Sequence, residues 1–110
     1  TQGARIRLLK RIPAAAGLGG GSSDAATTLL ALNELWNANL SRERLLELAA
    51  DLGSDVQFFL ADSACALCTG RGERLTPYFT AGRLHLVLAR PQSGLSTPAV
   101  YRACRPEPEL

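Results

Sequence analysis

The stretch Pro13-Ala14-Ala15-Ala16-Gly17-Leu18-Gly19-Gly20-Gly21-Ser22-Ser23-Asp24 places four glycines within five positions, then two hydroxyl side chains, directly ahead of an amphipathic helical pattern. Glycines lack Cβ, so their backbone N–H groups can approach a bulky anion, and a following helix adds unpaired donors and a positive dipole end. That combination suits a polyphosphate. A flexible Gly/Ser linker is the alternative, but a linker needs neither an ordered strand before it nor a helix after it. Both flanks here read as ordered. The loop matches neither common nucleotide fingerprint. A Walker-type loop needs Lys where Gly21 stands, and a dinucleotide loop needs a strand running straight into its first glycine. Ser22 and Ser23 could contact phosphate oxygens, or a Mg²⁺ held by them, or simply cap the helix.

Asp55, in Gly53-Ser-Asp-Val-Gln-Phe-Phe-Leu60, follows a helix stop and precedes an apolar run. One carboxylate that orients or deprotonates an attacking hydroxyl is what phosphoryl transfer asks of a protein, whereas an isolated Gly-Ser-Asp is commonly a turn. Cys65 and Cys68 form a Cys-x-x-Cys on an expected strand, where a three-residue step sends the side chains to opposite faces. With only Cys104 and the lone His85 to complete a set, they read as buried apolar residues and no metal site is expected. His85 sits in an apolar strand and reads as a packed or edge residue. Lys10-Arg11 could help hold phosphates or could be a solvated strand end.

These residues need elements to hold them. Arg5–Ile12 has the pattern of a half-buried strand. Residues 22–38 read as a helix, with Ala25, Leu29, Leu32 and Trp36 on one face, Ser22 or Ser23 as N-cap, Asp24 favourable to the dipole, and Asn37 and Asn39 as the stop. A second helix is expected over 41–52, capped by Ser41 and ended by Gly53, with Leu45, Leu48, Ala49 and Leu52 inward and Leu40 stapled to Leu45. Residues 64–69 and 73–79 read as a hairpin around Gly70-Arg-Gly72, and Leu84–Ala89 as a buried strand. A loop from Pro91 to Pro98 leads into a last helix through Cys104 with Pro98 at its start. The irregular alternation favours α+β over a doubly wound sheet.

Composition narrows the partners. A net charge of +2 and 5% aromatic residues argue against nucleic acid, and no apolar run approaches bilayer-spanning length. A cytoplasmic setting is expected, with no membrane partner. The absence of Met, the immediate opening into a strand and the close on Arg105-Pro-Glu-Pro-Glu-Leu110 read as an internal piece of a longer chain.

The segment from Pro13 to Ala26 resembles the second signature motif of the GHMP small-molecule kinases, which include galactokinase, homoserine kinase and mevalonate kinase. Leu52-Gly-Ser-Asp-Val-Gln-Phe-Phe59, Thr69-Gly-Arg-Gly-Glu-Arg-Leu75 and Ser96-Thr-Pro98 extend the resemblance over nearly the whole chain. Together they resemble the family branch that phosphorylates a cytidine-diphosphate-linked sugar alcohol in non-mevalonate isoprenoid biosynthesis. The resemblance implies ATP and Mg²⁺, an ATP-binding loop over Pro13–Ser23, and Asp55 as the catalytic residue acting on the substrate hydroxyl. It implies a fold made of a ribosomal-protein-S5-domain-2-like N-terminal domain and a ferredoxin-like C-terminal one. Residues 1–80 would be the second part of the former and 81–110 the start of the latter, joined near Pro77 to Arg83. Gln57 stands where the family usually has Pro, which would loosen the turn carrying Asp55. The family's catalytic Lys, cytidine site and third glycine motif have no counterpart here. Another GHMP kinase of homoserine or mevalonate type, or a non-catalytic anion-binding module, are the alternatives.

Overall fold

The computed structural model describes residues 2–61, 63–78, 82–89, 94 and 96–105. In chain order its elements are α1 (Gly20–Leu35), α2 (Arg42–Leu52), α3 (Val56–Leu60), β1 (Ala66–Thr69), β2 (Arg74–Pro77) and α4 (Thr97–Ala103), an α+β arrangement.

Helix α1 starts two residues earlier than its apolar pattern predicts, and neither serine caps it. Its N-cap is Gly19 at φ 66°, with no side-chain hydrogen bond to the helix start. The left-handed glycine turns the chain into the helix, so Ser22 and Ser23 fall inside the first turn. The helix also ends earlier than 38. Asn37 and Asn39 take φ 47° and 50°, the left-handed region that Asn tolerates better than most residues. Asn33 Oδ1 then accepts the Leu40 N–H at 2.9 Å, anchoring the link to α2.

Helix α2 follows its sequence signals closely. Ser41 accepts the Arg44 N–H at 3.3 Å, and Gly53 N–H donates to Ala49 O at 3.1 Å at the other end. Leu45 and Ala49 are buried and Leu48 half-buried, but Leu52 is 60% exposed, contrary to expectation. Leu52 is the last residue of α2 and stands outside the core that Leu45, Leu46 and Ala49 join.

Three helices pack on one another around Ala26, Leu45, Ala49, Val56 and Leu60, with Ala25, Leu29 and Leu46 alongside. Ala26 and Ala49 are 1% and 0% exposed, so the most deeply buried side chains of this core are small ones. The run after Asp55, open in the sequence as to its form, is helix α3.

Strands β1 and β2 form an antiparallel hairpin in which Ala66 faces Pro77 and Cys68 faces Leu75. It is shorter than the expected 64–69 and 73–79, although Tyr78 N–H donates to Cys65 O at 2.8 Å just beyond the ladder. The two other expected strands are absent. Arg5–Ile12 and Leu84–Ala89 carry no regular structure and are exposed, Val87 to 97%. A strand needs a strand neighbour for its backbone N–H and C=O groups, and the sheet among the described residues holds β1 and β2 alone. Helix α4 has Pro98 at its first turn as expected and buries none of its residues. Residues 91–93 and 95 of the expected loop and 79–81 of the expected domain junction lie outside the described residues, while Thr97 and Pro98 already belong to α4.

Candidate active site

Three pieces of chain converge on a cavity of about 340 Å³. The glycine loop contributes Gly17, Leu18 and Gly19. Asp55, Phe58 and Phe59 come from α3 and its N-terminal end, and Cys68 and Gly72 from the hairpin.

The loop can pass this close only because of its glycines. At Gly19 a Cβ would lie 2.8 Å from Phe59 Cζ, and φ 66° already disfavours any other residue. Phe59 in turn meets Phe58 edge to face, with ring centroids 5.3 Å apart, which fixes the wall the loop crosses. Gly20, buried as the first residue of α1, could carry a Cβ only by pushing Ile12, whose Cγ2 would be 2.7 Å away. Gly21 differs: a Cβ there would meet nothing within 4 Å. With no side chain capping α1, the first backbone N–H groups of the 16-residue helix are available to an acceptor from outside the chain.

Asp55 is the N-cap of α3, yet its side chain makes no capping bond. Backbone closes the turn: Val56 N–H donates to Gly53 O at 3.1 Å. The carboxylate is exposed, and its partner is the Ser54 hydroxyl, whose Oγ lies 3.5 Å from Oδ1. The turn-forming role that an Asp in Gly-Ser-Asp commonly fills is thus done without its carboxylate. Gly72 at the hairpin tip approaches so closely that a Cβ would stand 3.8 Å from Asp55 Oδ1.

The hairpin tip is organised by Glu73, whose carboxylate accepts the Arg71 N–H at 2.6 Å. Hydrogen bonds from the backbone N–H groups of Glu73 and Arg71 hold this carboxyl below the ordinary glutamate range, with smaller help from the Arg71 and Arg74 charges.

Of the site residues read from the sequence, Gly17, Leu18, Gly19 and Asp55 line the cavity. Pro13, Ala14 and Ala15 are exposed and Ala16 half-buried ahead of it, Ala15 with φ 51°. Gly20, Gly21, Ser22 and Ser23 form the first turn of α1. Lys10 is ion-paired with Asp24 at its Oδ2; because α1 begins at Gly20, Asp24 follows the first turn and is not in it as expected. The cysteines are not the buried residues expected: Cys65 is half-buried just before β1, while Cys68 and Cys104 are exposed. A two-stranded hairpin has no second layer to cover them. His85 is exposed and packs in no core. No group of three or more His, Cys, Asp or Glu able to hold a metal occurs among the described residues. Sequence reasoning missed Phe58, Phe59, Cys68 and Gly72 as cavity residues. The Gly-Arg-Gly turn and the apolar run were visible, but as structural signals, and only packing brings them to the loop.

The chain belongs to the GHMP kinase family: the family model described as GHMP kinases N terminal domain matches residues 2–70. Its relatives are more particular. It is 58% identical over 104 residues to a 4-diphosphocytidyl-2-C-methyl-D-erythritol kinase of Pelotomaculum thermopropionicum, covering 94% of this chain and 36% of the relative. It is 52% identical over 104 residues to the kinase of the same name from Bacillus subtilis, with the same coverages of 94% and 36%. A crystal structure of 4-(cytidine 5'-diphospho)-2C-methyl-D-erythritol kinase superposes with a TM-score of 0.67 at 46% identity, covering 92% of this chain and 37% of that one. The chain therefore spans little more than a third of the length of these relatives. Among the described residues, no helix is long and apolar enough to cross a membrane.

Proposed function

We propose that this chain contributes the ATP-phosphate loop and the catalytic carboxylate of a kinase that phosphorylates the 2-hydroxyl of 4-diphosphocytidyl-2-C-methyl-D-erythritol, a step of non-mevalonate isoprenoid biosynthesis in the cytoplasm. The observation that carries this reading is one shared cavity, bordered by the glycine loop on one side and an uncommitted Asp55 carboxylate on the other. The relatives' names supply the substrate, and family membership supplies the reaction class. Residues 1–80 belong in this reading to the N-terminal domain and 81–110 to the start of the second.

The phosphates of ATP lie along the Pro13–Ser23 loop, where the N–H groups at the uncapped start of α1 offset their charge. Among the described residues no group of three or more His, Cys, Asp or Glu could hold a metal, so a Mg²⁺ would arrive on the nucleotide phosphates, with Ser22 and Ser23 of the first turn of α1 as the hydroxyls that could help hold it. Such an ion would supply neutralisation of the charge on the transferred phosphoryl group. Asp55 orients the substrate 2-hydroxyl and accepts its proton. As the hydroxyl oxygen bonds to the γ-phosphorus, the bond from that phosphorus to the β,γ-bridging oxygen breaks and ADP leaves with the electron pair.

Asp55→Asn separates chemistry from turn formation, because Asn keeps a turn-compatible side chain but cannot take the proton. A general base contributes about 10²–10⁴-fold. In the full-length protein carrying this sequence, turnover should fall by that much with ATP affinity little changed. Near-normal turnover, or joint loss of ATP binding and thermal stability, would make Asp55 a structural residue.

A further inference from the structure

Helix α3 is five residues long, too short to hold its own position, and yet it carries Asp55 at its N-terminal end. Two polar ties fasten it to α2. At the far end, Arg42 Nη2 donates to Leu60 O at 3.0 Å, satisfying a carbonyl of the last turn. At the near end, Gln57 Nε2 donates to Leu46 O at 2.9 Å. The near tie is made two residues from Asp55 and is the costlier of the two. Gln57 Oε1 is buried with no hydrogen-bond partner among the described residues. A buried, unsatisfied amide oxygen is destabilising, so a side chain needed only to fill this space would be better as an apolar residue of similar volume. The amide is spent on direction instead: its N–H fixes how the first turn of α3 sits against α2.

We propose that Gln57 is a positioning residue, whose bond to the Leu46 carbonyl fixes the N-terminal end of α3 and with it the Asp55 carboxylate. Gln57 touches no reacting atom. It replaces by a side-chain tie the backbone restriction that proline imposes on a turn, so the turn carrying Asp55 is held from α2. The proposal rests on Asp55 as proton acceptor, so the two must be tested in a way that tells them apart.

Gln57→Met keeps the volume and removes the bond. Small misplacements of reacting groups are costly, so kcat should fall about tenfold while KM for ATP stays within about twofold. In the Asp55→Asn background the same substitution should have almost no further effect on kcat, because there is no longer a proton acceptor to misplace. Arg42→Met, which cuts the far tie, should lower thermal stability and leave kcat within about twofold of normal. Gln57→Asn, too short to reach Leu46 but still an amide, should behave like Gln57→Met and serves in its place if that variant is insoluble. Unchanged kcat in a folded Gln57 variant overturns the proposal while leaving Asp55 catalytic. So does an equal loss of kcat in Arg42→Met, which would mean general loosening of α3. Near-normal turnover of Asp55→Asn removes both readings together.

Discussion

Two apolar runs of this chain, Val56–Leu60 and Leu84–Ala89, meet opposite ends. In the first, Val56 is 3% exposed and the run is a helix packed against α1 and α2, with only Phe59 left exposed, at 37%. In the second, Leu86 and Val87 are 77% and 97% exposed and the backbone has no regular structure. The more continuous apolar run is the uncovered one. Hydropathy marks what a segment gains from burial, but burial needs a partner face. Val56–Leu60 packs against two helices that precede it in the chain, while every residue of Leu84–Ala89 is exposed. The site follows part of this division: Asp55, Phe58 and Phe59 come from α3 and its N-terminal end, and no lining residue comes from Leu84–Ala89.

The largest expected effect tests that division directly. Phosphoryl transfer depends almost wholly on positioning, and this chain spans little more than a third of its relatives. Residues 1–110 alone should give no phosphorylated product above a no-protein control. Turnover by the isolated chain would mean that the covered region suffices and the comparison is misjudged.

Next in size is the loop. Gly21→Val places a side chain in open space at the first turn of α1, so the fold should persist while the Michaelis constant for ATP in the full-length protein rises about tenfold or more. Gly20→Val is a poorer probe, because it displaces Ile12 as well. ATP dependence that stays the same in folded Gly21→Val would remove the loop from the phosphate site.

Stability should separate the two runs themselves. Truncating a buried Val leaves a cavity, so Val56→Ala should cost about 2 kcal/mol by denaturant unfolding. Val87→Ala should stay within about 0.5 kcal/mol, as exposed substitutions do. Equal costs would show that Leu84–Ala89 is covered in solution after all.

The smallest effect lies at the hairpin tip. Glu73 has its carboxyl held below the ordinary range in the folded chain. Its stabilisation of the turn is therefore complete above the unfolded glutamate value and is lost as pH falls through the lower folded one. The Arg71 amide resonance should move on acidification, and Glu73→Ala should abolish that movement. An amide indifferent to pH would break the link between Glu73 and the turn.

Much of this protein is legible without coordinates where the cause is local. Ser41 and Gly53 bound α2 because a hydroxyl and a glycine satisfy helix ends within a few residues. Gly70-Arg-Gly72 bends a hairpin for the same reason. Composition and spacing make the glycine loop a candidate anion site, and Asp55 a candidate by its place between a stop and an apolar run. The cap of α1 was misread because a left-handed Gly19 and two serines are equally plausible starts until packing against Phe59 decides.

By itself, then, the sequence determined the helices with strong end signals, the α+β class and the candidate chemistry, since each depends on groups only a few residues apart. Tertiary structure alone decided which apolar runs are covered, that Phe59, Cys68 and Gly72 join the loop at one cavity, and that Gln57 reaches across to Leu46. Those outcomes depend on contacts between residues distant in the chain, whose pairing no local pattern records.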